Sequence, residues 1–158
     1  MTGKAARESA VEMAETVLPQ DANTHGTAFG GKIVQWIDLC AGMVAGRHCR
    51  LPVVTVSMDD LHFHEPIKIG DFALLSGRLT AVFRSSMEIS VRVMAENPLS
   101  GERRLCTSAY LTFVALSTDG RPVEVPPLVL ETPEEQDAFE RAKERRERRL
   151  QRASARRG

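Results

Sequence analysis

The fold of this chain is decided by the stretch NTHGTAFGGKIVQWID, residues 23–38. It begins as a polar turn and continues as a helix that opens on Gly30 and Gly31 and carries one carboxylate, Asp38, two turns further on. The first N–H groups of a helix have no partner inside it, so they can donate to a negatively charged or polarised oxygen. An oxyanion site combined with a nearby carboxylate indicates acyl chemistry.

The composition predicts one soluble globular domain. A chain of 158 residues can form a single hydrophobic core, and 42% hydrophobic with 27% charged residues is typical of this class. No apolar run approaches the ~20 residues of a membrane span, and the N-terminus lacks a signal-peptide core. The cysteines Cys40, Cys49 and Cys106 have no CxxC spacing, which favours free thiols in a reducing compartment and argues against zinc. We therefore expect a cytoplasmic protein.

The order of predicted elements is strand, one long helix, then several antiparallel strands. Helical spacing of apolar residues runs from Phe29 to about Arg47. Strands are predicted within residues 10–18, 53–58, 72–83, 87–96 and 104–116. A helix that is apolar over much of its surface must be buried by other elements, so a curved antiparallel sheet is expected to surround it. This α+β arrangement is the hotdog fold. The expected hotdog domain covers residues 8–125.

A C-terminal extension with a basic helix is predicted over residues 126–158. Thr132 is expected to cap it, with Pro133 as its first residue and Glu135 as the capping-box partner. Residues 141–158 carry nine Lys or Arg and two Glu, a charge of +7, against −7 for the rest of the chain. Few aromatic or large apolar residues separate these charges, which favours a solvated or subunit-contacting helix over a role in binding nucleic acid or phosphate, coenzyme A included.

Several motifs, taken in order, resemble those of the acyl-coenzyme A thioesterases of the hotdog fold. They are NTHG at 23–26, FGG at 29–31, WID at 36–38, AGMVAGRHC at 41–49, FHEPI at 63–67, RSSMEI at 84–89 and GRP at 120–122. The segment 125–143 is also similar to the C-terminal extension of the cytosolic, brain-type acyl-CoA hydrolases. The resemblance therefore spans residues 8–145. Each motif alone is a weak signal, but the occurrence of all of them in this order is specific.

The resemblance implies hydrolysis of acyl-CoA to a free fatty acid and coenzyme A, a reaction of fatty acid metabolism without metal or prosthetic group. Coenzyme A is then part of the substrate. It also implies a site between the subunits of a homodimer, with three dimers commonly forming a hexamer. Spacing supports the shared site independently, because Gly31 and Asp38 are separated by ~10.5 Å along a helix. One carbonyl cannot contact both in one chain, whereas an antiparallel partner helix could supply its own Asp38.

The resemblance assigns the catalytic positions to Asp38 and Asn23. Asp38 is expected to activate water as a general base or to attack as a nucleophile, and the sequence leaves both open. Asn23 is expected to orient the water or bind the thioester oxygen, with an Asx-turn as the alternative. The backbone N–H groups of Gly30 and Gly31 are expected to stabilise the oxyanion, with close helix packing as the alternative.

Further residues are expected to bind substrate or coenzyme A. His25 and Phe29 are placed at the edge and wall of the pocket, and His64 is expected to line it. His62 and His64 are not expected to hold a metal, because no carboxylate set completes the pair. The residues expected to meet the pantetheine or nucleotide part, with a polar hairpin tip as the alternative, are Arg84, Ser85 and Ser86.

Two other functions are consistent with this fold. One is a hotdog enzyme that acts on acyl-carrier protein; such enzymes use a catalytic histidine, and the central helix offers only Asp38 in that role. The other is an acyl-CoA sensor without catalysis, although residues 1–9 are too few for the DNA-binding domain that regulators on this fold carry. No serine or cysteine lies in a G-x-S-x-G context, which disfavours a nucleophilic triad.

Overall fold

A computed structural model describes residues 1–157 of the chain. Within these residues there are two α-helices, Gly30–Cys49 (α1) and Pro133–Arg157 (α2). The strands are Lys4–Ala5 (β1), Val11–Thr16 (β2), Val53–Phe63 (β3), Phe72–Val82 (β4), Ser86–Glu96 (β5), Arg103–Ala115 (β6) and Leu128–Val129 (β7). Short 3-10 turns lie at Ala6–Glu8 and Pro19–Asp21.

One antiparallel sheet, in the order β2-β4-β5-β6-β3, packs around α1. Alternation along β5 shows how the sheet divides inside from outside, because successive side chains of a strand point to opposite faces. The inward residues, all fully buried in the core, are Met87, Ile89, Val91, Val93 and Ala95. The predicted α+β layout, with a sheet around one long central helix, is confirmed, and β3 is left as an edge strand.

The central helix ends two residues later than the sequence pattern predicts. Arg50 caps it in the left-handed region at φ 55° and donates its N–H to the carbonyl of Gly46 at 2.8 Å. The bend at Leu51 and Pro52 then separates α1 from β3.

Strand β3 is longer than predicted, since it continues from Val53 to Phe63 rather than ending near Met58. Its register with β6 shifts twice, between Thr55 and Ser57 and again between Asp59 and His62. Each irregularity interrupts the alternation of buried and exposed side chains, so the second half of the strand has no period-two pattern in the sequence. Asp60, inside the second irregularity, has φ +49°.

The cap of α2 differs from the predicted capping box in one bond. Thr132 accepts from the N–H of Glu135 at 3.1 Å, as predicted. The Glu135 carboxylate, however, accepts from the N–H of Glu131 at 2.9 Å rather than from Thr132. The first helical residue is Pro133, as predicted.

Helix α2 lies on the outer face of the chain's own sheet and is held there by an ion pair. Arg145 donates to both carboxylate oxygens of Glu88 on β5, at 2.9 and 2.8 Å, and stacks 3.6 Å above the Tyr110 ring on β6. Burial alone would lower the pKa of Arg145, but the bonds to Glu88 outweigh it and raise that pKa. The middle turns of the helix are therefore docked on the chain's own sheet rather than solvated, and contact with another subunit stays a prediction.

The boundary between a domain at 8–125 and an extension at 126–158 remains a prediction from composition. Helix α2 packs against the same sheet through β4 and β5, and β7 pairs with β1 near the N-terminus. Gly158 lies outside the described residues.

His48 ties the end of α1 to the segment that leads to β7. Its side chain is fully buried, and Nε2 donates to the carbonyl of Pro126 at 2.7 Å. Within residues 1–157, Nδ1 has no hydrogen-bond partner. Burial lowers the pKa of His48, although the bond to Pro126 opposes this shift. The neutral ring is therefore the form that the fold stabilises.

We expect the stability of the fold to decrease as the pH falls below about 6.5. In the unfolded chain His48 takes up a proton near that pH, whereas in the fold it stays neutral to lower pH, so protons favour unfolding. His48→Gln keeps an N–H donor for Pro126 but does not titrate. Urea unfolding between pH 7.5 and 5.5 should show a smaller loss of stability in His48→Gln than in wild type or in His25→Gln. Equal losses of stability in all three proteins would show that protonation of His48 does not cause the pH dependence.

Candidate functional site

Asn23 holds the turn that leads into α1. Its Oδ1 accepts from the N–H of His25 at 2.9 Å and of Thr27 at 3.2 Å, and its Nδ2 donates to the Thr27 hydroxyl at 3.0 Å. The Asx-turn that the sequence left as an alternative is thus formed. Nδ2 carries a second hydrogen that this turn does not use.

The first two residues of α1 present free donors. Within residues 1–157, the N–H groups of Gly30 and Gly31 donate to no backbone carbonyl. Neither glycine has a positive φ, so the backbone does not require glycine there. A Cβ added at Gly30 would lie 3.6 Å from the Phe63 ring, and one added at Gly31 would lie 2.8 Å from the Phe29 ring. The two amides are therefore flanked by two phenyl rings.

Two grooves adjoin this helix start. The Phe63 groove, about 330 Å³, is lined by Thr27, Ala28, Gly30, Ile33, Phe63, His64, Glu65 and Pro66. The Phe29 groove, about 400 Å³, is lined by Gln20, Asp21, Ala22, Phe29, Gly31, Lys32 and Gln35. His64 is one of the residues that line the first groove, and a ring nitrogen lies 3.0 Å from the Ser108 hydroxyl. The exposed His25 belongs to the turn beside these grooves.

Asp38 lies two turns further along α1 and is half-exposed. The Thr55 hydroxyl on β3 donates to its Oδ1 at 2.7 Å, which fixes the carboxylate and leaves Oδ2 free. Sequence reasoning missed Thr55. The available signal was a lone hydroxyl in the apolar run VVTV at 53–56, on the strand that directly follows the central helix.

The tight connection between β4 and β5 lies at the other end of the sheet from His64. Ser86 pairs with Val114 on β6, which in turn pairs with Val54 near the start of β3. Backbone bonds hold the connection, from Ala115 to the Ser85 carbonyl at 3.1 Å and from Val125 to the Arg84 carbonyl at 2.9 Å. The three predicted coenzyme A contacts, Arg84, Ser85 and Ser86, are therefore far from the helix start in one chain.

The chain thus carries two separate half-sites. At the start of α1 the structure groups Asn23, His25, Phe29, Gly30, Gly31 and His64. Asp38, with Thr55, is seven residues beyond Gly31, which is ~10.5 Å of helix. A single carbonyl carbon cannot be within bonding distance of both half-sites in one chain.

The cysteines are not suited to nucleophilic catalysis. Burial raises the pKa of Cys40 to about 11, and it also raises the pKa values of Cys49 and Cys106. All three thiols are buried and free, so they stay protonated near neutral pH.

Residues 1–157 contain neither a metal-binding cluster nor a helix that could cross a membrane. No three His, Cys, Asp or Glu side chains are grouped as a metal ion would require. Neither helix combines the length and the apolar character that crossing a bilayer demands.

The sequence pattern of the thioesterase superfamily matches residues 25–102. The uncharacterised acyl-CoA thioester hydrolase YkhA of Bacillus subtilis is 45% identical over 146 residues, which cover 90% of this chain and 85% of that protein. The cytosolic acyl coenzyme A thioester hydrolase of Rattus norvegicus is 41% identical over 131 residues, or 82% of this chain. The matched region is only 34% of the rat protein's length.

Solved structures share the whole fold. An apo-hexameric acyl-CoA thioesterase has 39% identity and a TM-score of 0.92, with 97% of this chain and 98% of that chain covered. An acyl-CoA hydrolase from Staphylococcus aureus, solved with butyryl coenzyme A and coenzyme A, has 36% identity and a TM-score of 0.89, covering 96% and 93%.

The Staphylococcus aureus enzyme has also been solved with an asparagine, an aspartate or a threonine replaced by alanine. Its asparagine and aspartate are 15 residues apart, and its aspartate and threonine are 17 apart. Asn23, Asp38 and Thr55 have the same two separations.

Proposed function

This chain belongs to the thioesterase superfamily, and we propose that it hydrolyses acyl-coenzyme A thioesters at a site shared by two copies of the chain. The observation that carries the proposal is the pair of half-sites. Free amides lie at the start of α1, and a fixed carboxylate lies two turns away with one oxygen available. Two antiparallel copies of α1 would place each Asp38 beside the other copy's Gly30 and Gly31.

The surface of one chain supports such a dimer. The open side of α1 exposes Leu39 and Met43 at 54% and 44%, and the edge strand β3 exposes Val56 at 54%. Large apolar side chains on a contiguous surface are typical of an interface. Gly46 lies two turns beyond Asp38 on α1, and a Cβ added there would meet no atom of its own chain within 4 Å, so a second helix could approach closely at this point. An unpaired edge strand is a second ready-made contact.

In the proposed reaction, Asp38 acts as general base. Its free Oδ2 takes a proton from a water molecule, and the water oxygen attacks the thioester carbonyl carbon. The C–S bond then breaks, the thiolate leaves and takes the proton back from Asp38, and the products are a carboxylic acid and coenzyme A. Thr55 is a positioning residue, because its hydroxyl holds Oδ1 and so aims Oδ2.

The amides of Gly30 and Gly31 stabilise the negative charge that develops on the carbonyl oxygen. Preorganised donors of this kind contribute about 3–4 kcal/mol each in a measured case. Asn23 supports them in two ways: its Oδ1 holds the turn, and the unused hydrogen on Nδ2 is available to the water or the carbonyl. The reaction as written needs no metal or prosthetic group, since coenzyme A arrives with the substrate.

The assembly proposed is a trimer of such dimers in the cytoplasm. Its support is the hexameric thioesterase of the same fold and the cytosolic rat hydrolase. We propose that coenzyme A is bound by Arg84, Ser85 and Ser86. These residues lie near the start of β3, where Thr55 holds Asp38, whereas His64 follows the other end of that strand.

Asp38→Asn should lower kcat by at least about 100-fold, because the amide cannot take a proton from water. Asn at this position still accepts the Thr55 hydroxyl, so the fold should persist. Thiol release from acyl-CoAs of 2 to 18 carbons measures the effect, with Asp137→Asn on α2 as the control. Full activity of Asp38→Asn would refute the mechanism, and coenzyme A ester binding without turnover by wild type would favour a sensor.

Thr55→Val and Thr55→Ser form a matched pair. Valine has the shape of threonine without the hydroxyl, so loss of the bond to Asp38 should lower kcat by about tenfold, equivalent to ~1.4 kcal/mol. Serine keeps the hydroxyl and should keep kcat within about twofold, while KM should change little in either variant. The same kcat for both variants would show that Thr55 does not position Asp38.

The shared site can be tested by mixing two impaired chains, Asp38→Asn and Asn23→Asp. Aspartate at 23 keeps the acceptor for the turn but loses the Nδ2 donor. Each mixed dimer then has one intact site and one doubly altered site, so a random mixture should recover about a quarter of wild-type activity. Native mass spectrometry measures the mixed dimers. No recovery despite mixed dimers would show that each site belongs to one chain.

A further inference from the structure

A cavity of about 530 Å³ lies on the outer face of the sheet, beneath the first turns of α2. Strands β4 and β5 form its floor, and its walls come from α2 and from the segment around β7. It shares no lining residue with the two grooves at the start of α1. The residues that define this outer pocket are Ser76, Arg78, Ser90, Arg92, Leu130 and Ala138.

Two arginines and two serines form a square on the floor of the outer pocket. Ser76 on β4 pairs directly with Arg92 on β5, and Arg78 pairs with Ser90. Directly opposite residues share one face of a sheet, with Cβ atoms about 5 Å apart, and diagonal neighbours are about 7–8 Å apart. The two arginines therefore occupy one diagonal of the square, and the two serine hydroxyls occupy the other.

The two arginines differ in whether a carboxylate neutralises them. Arg78 Nη2 donates to Glu135 Oε1 on α2 at 2.7 Å. Within residues 1–157, the exposed side chain of Arg92 forms no ion pair. Its guanidinium group has five N–H donors, and the hydroxyls of Ser76 and Ser90 are its neighbours on this face. The floor therefore offers one charged donor and two neutral donors to an oxygen anion.

The walls of the outer pocket are apolar. Leu128 and Leu130 line it from the segment around β7, and Ala138 lines it from α2. All three side chains are half-buried, so part of their surface still contacts water. A hydrocarbon chain that covered this surface would remove it from water, which is favourable.

The charges around the outer pocket favour an anion with a single charge. Glu134 and Glu135 line the same pocket as Arg78 and Arg92, so the formal charges of its lining cancel. A phosphate group carries about two negative charges near neutral pH, and the two carboxylates would repel it more strongly than a carboxylate. A carboxylate attached to a hydrocarbon chain satisfies both the donors on the floor and the apolar walls.

We propose that the outer pocket binds an aliphatic carboxylate. The carboxylate group is bound by Arg92 and by the hydroxyls of Ser76 and Ser90, and the hydrocarbon chain lies against the two leucines of the wall. A carboxylic acid is also the product class of the proposed reaction. The outer pocket nevertheless uses none of the residues of the two half-sites, so the proposal does not depend on the proposed function.

Octanoate is a soluble probe of this ligand class, and calorimetry with the full chain measures its affinity. Arg92→Gln removes the charge without breaking an ion pair of the fold, so it should weaken octanoate binding by about tenfold, which corresponds to ~1.4 kcal/mol. Ala138→Phe fills the pocket from α2 and should weaken binding by at least the same factor. Arg121→Gln, on the exposed turn after β6, is the matched control and should bind octanoate as wild type does.

Two further probes test which part of the ligand is recognised. Octylammonium has the same chain with the opposite charge, and inorganic phosphate has negative charge without a chain. Neither should bind in a way that depends on Arg92. Binding of octylammonium as tightly as octanoate would show an apolar groove without an anion site, and phosphate binding that requires Arg92 and exceeds octanoate binding would show a phosphate site. Either result would overturn the proposal.

Octanoate could also bind at the site shared by two chains, so the comparison between variants locates the binding event. Equal octanoate affinity in wild type, Arg92→Gln and Ala138→Phe would overturn the proposal, as would absence of octanoate binding to wild type. Absence of thiol release by wild type would refute the proposed function, while the calorimetric comparison would still decide whether the outer pocket binds carboxylates.

Discussion

An apolar helix that its own sheet encloses only in part is the constraint on which the rest of this structure depends. Most of α1 is buried against β4, β5 and β6, and Ile37, Cys40 and Val44 have no exposed surface. The remaining side has no sheet over it, so Leu39 and Met43 stay in contact with water. Exposed apolar surface of this kind favours a second copy. Asp38 lies at the border between the enclosed side and the open one.

The same helix supplies both electrostatic parts of the site, and its geometry keeps them apart. Free N–H groups are confined to the first turn, because every later amide bonds back to a carbonyl four residues earlier. The carboxylate is two turns away, where the hydroxyl of Thr55 reaches it from β3. A straight helix cannot bring its own residue 38 to its own residue 31. Assembly, rather than a bend in the chain, is therefore the physical route to a complete site.

The outer face of the sheet contacts α2 through charged side chains, whereas the inner face packs against α1 through apolar ones. The side-chain bonds that hold α2 to the sheet are ionic or cation–π, and they join Arg145 to Glu88 and Tyr110 and join Arg149 and Arg152 to Asp59. The sequence showed the basic run but not its partners, since the acids are 57 and 90 or more residues away. Charge pattern alone could not separate a solvated helix from one docked on its own sheet.

The sequence by itself determined the elements that have a regular period or a strong local signal. The alternation in β5, the apolar spacing of α1, the turn at Asn23 and the glycine pair were all readable, because each depends on neighbours within a few residues. Tertiary structure decided what depends on distant contacts. The register shifts in β3 hid half of that strand, and Thr55 became significant only when β3 was placed beside α1. The Phe63 groove forms only where the start of α1 meets the end of β3, which is about 30 residues away.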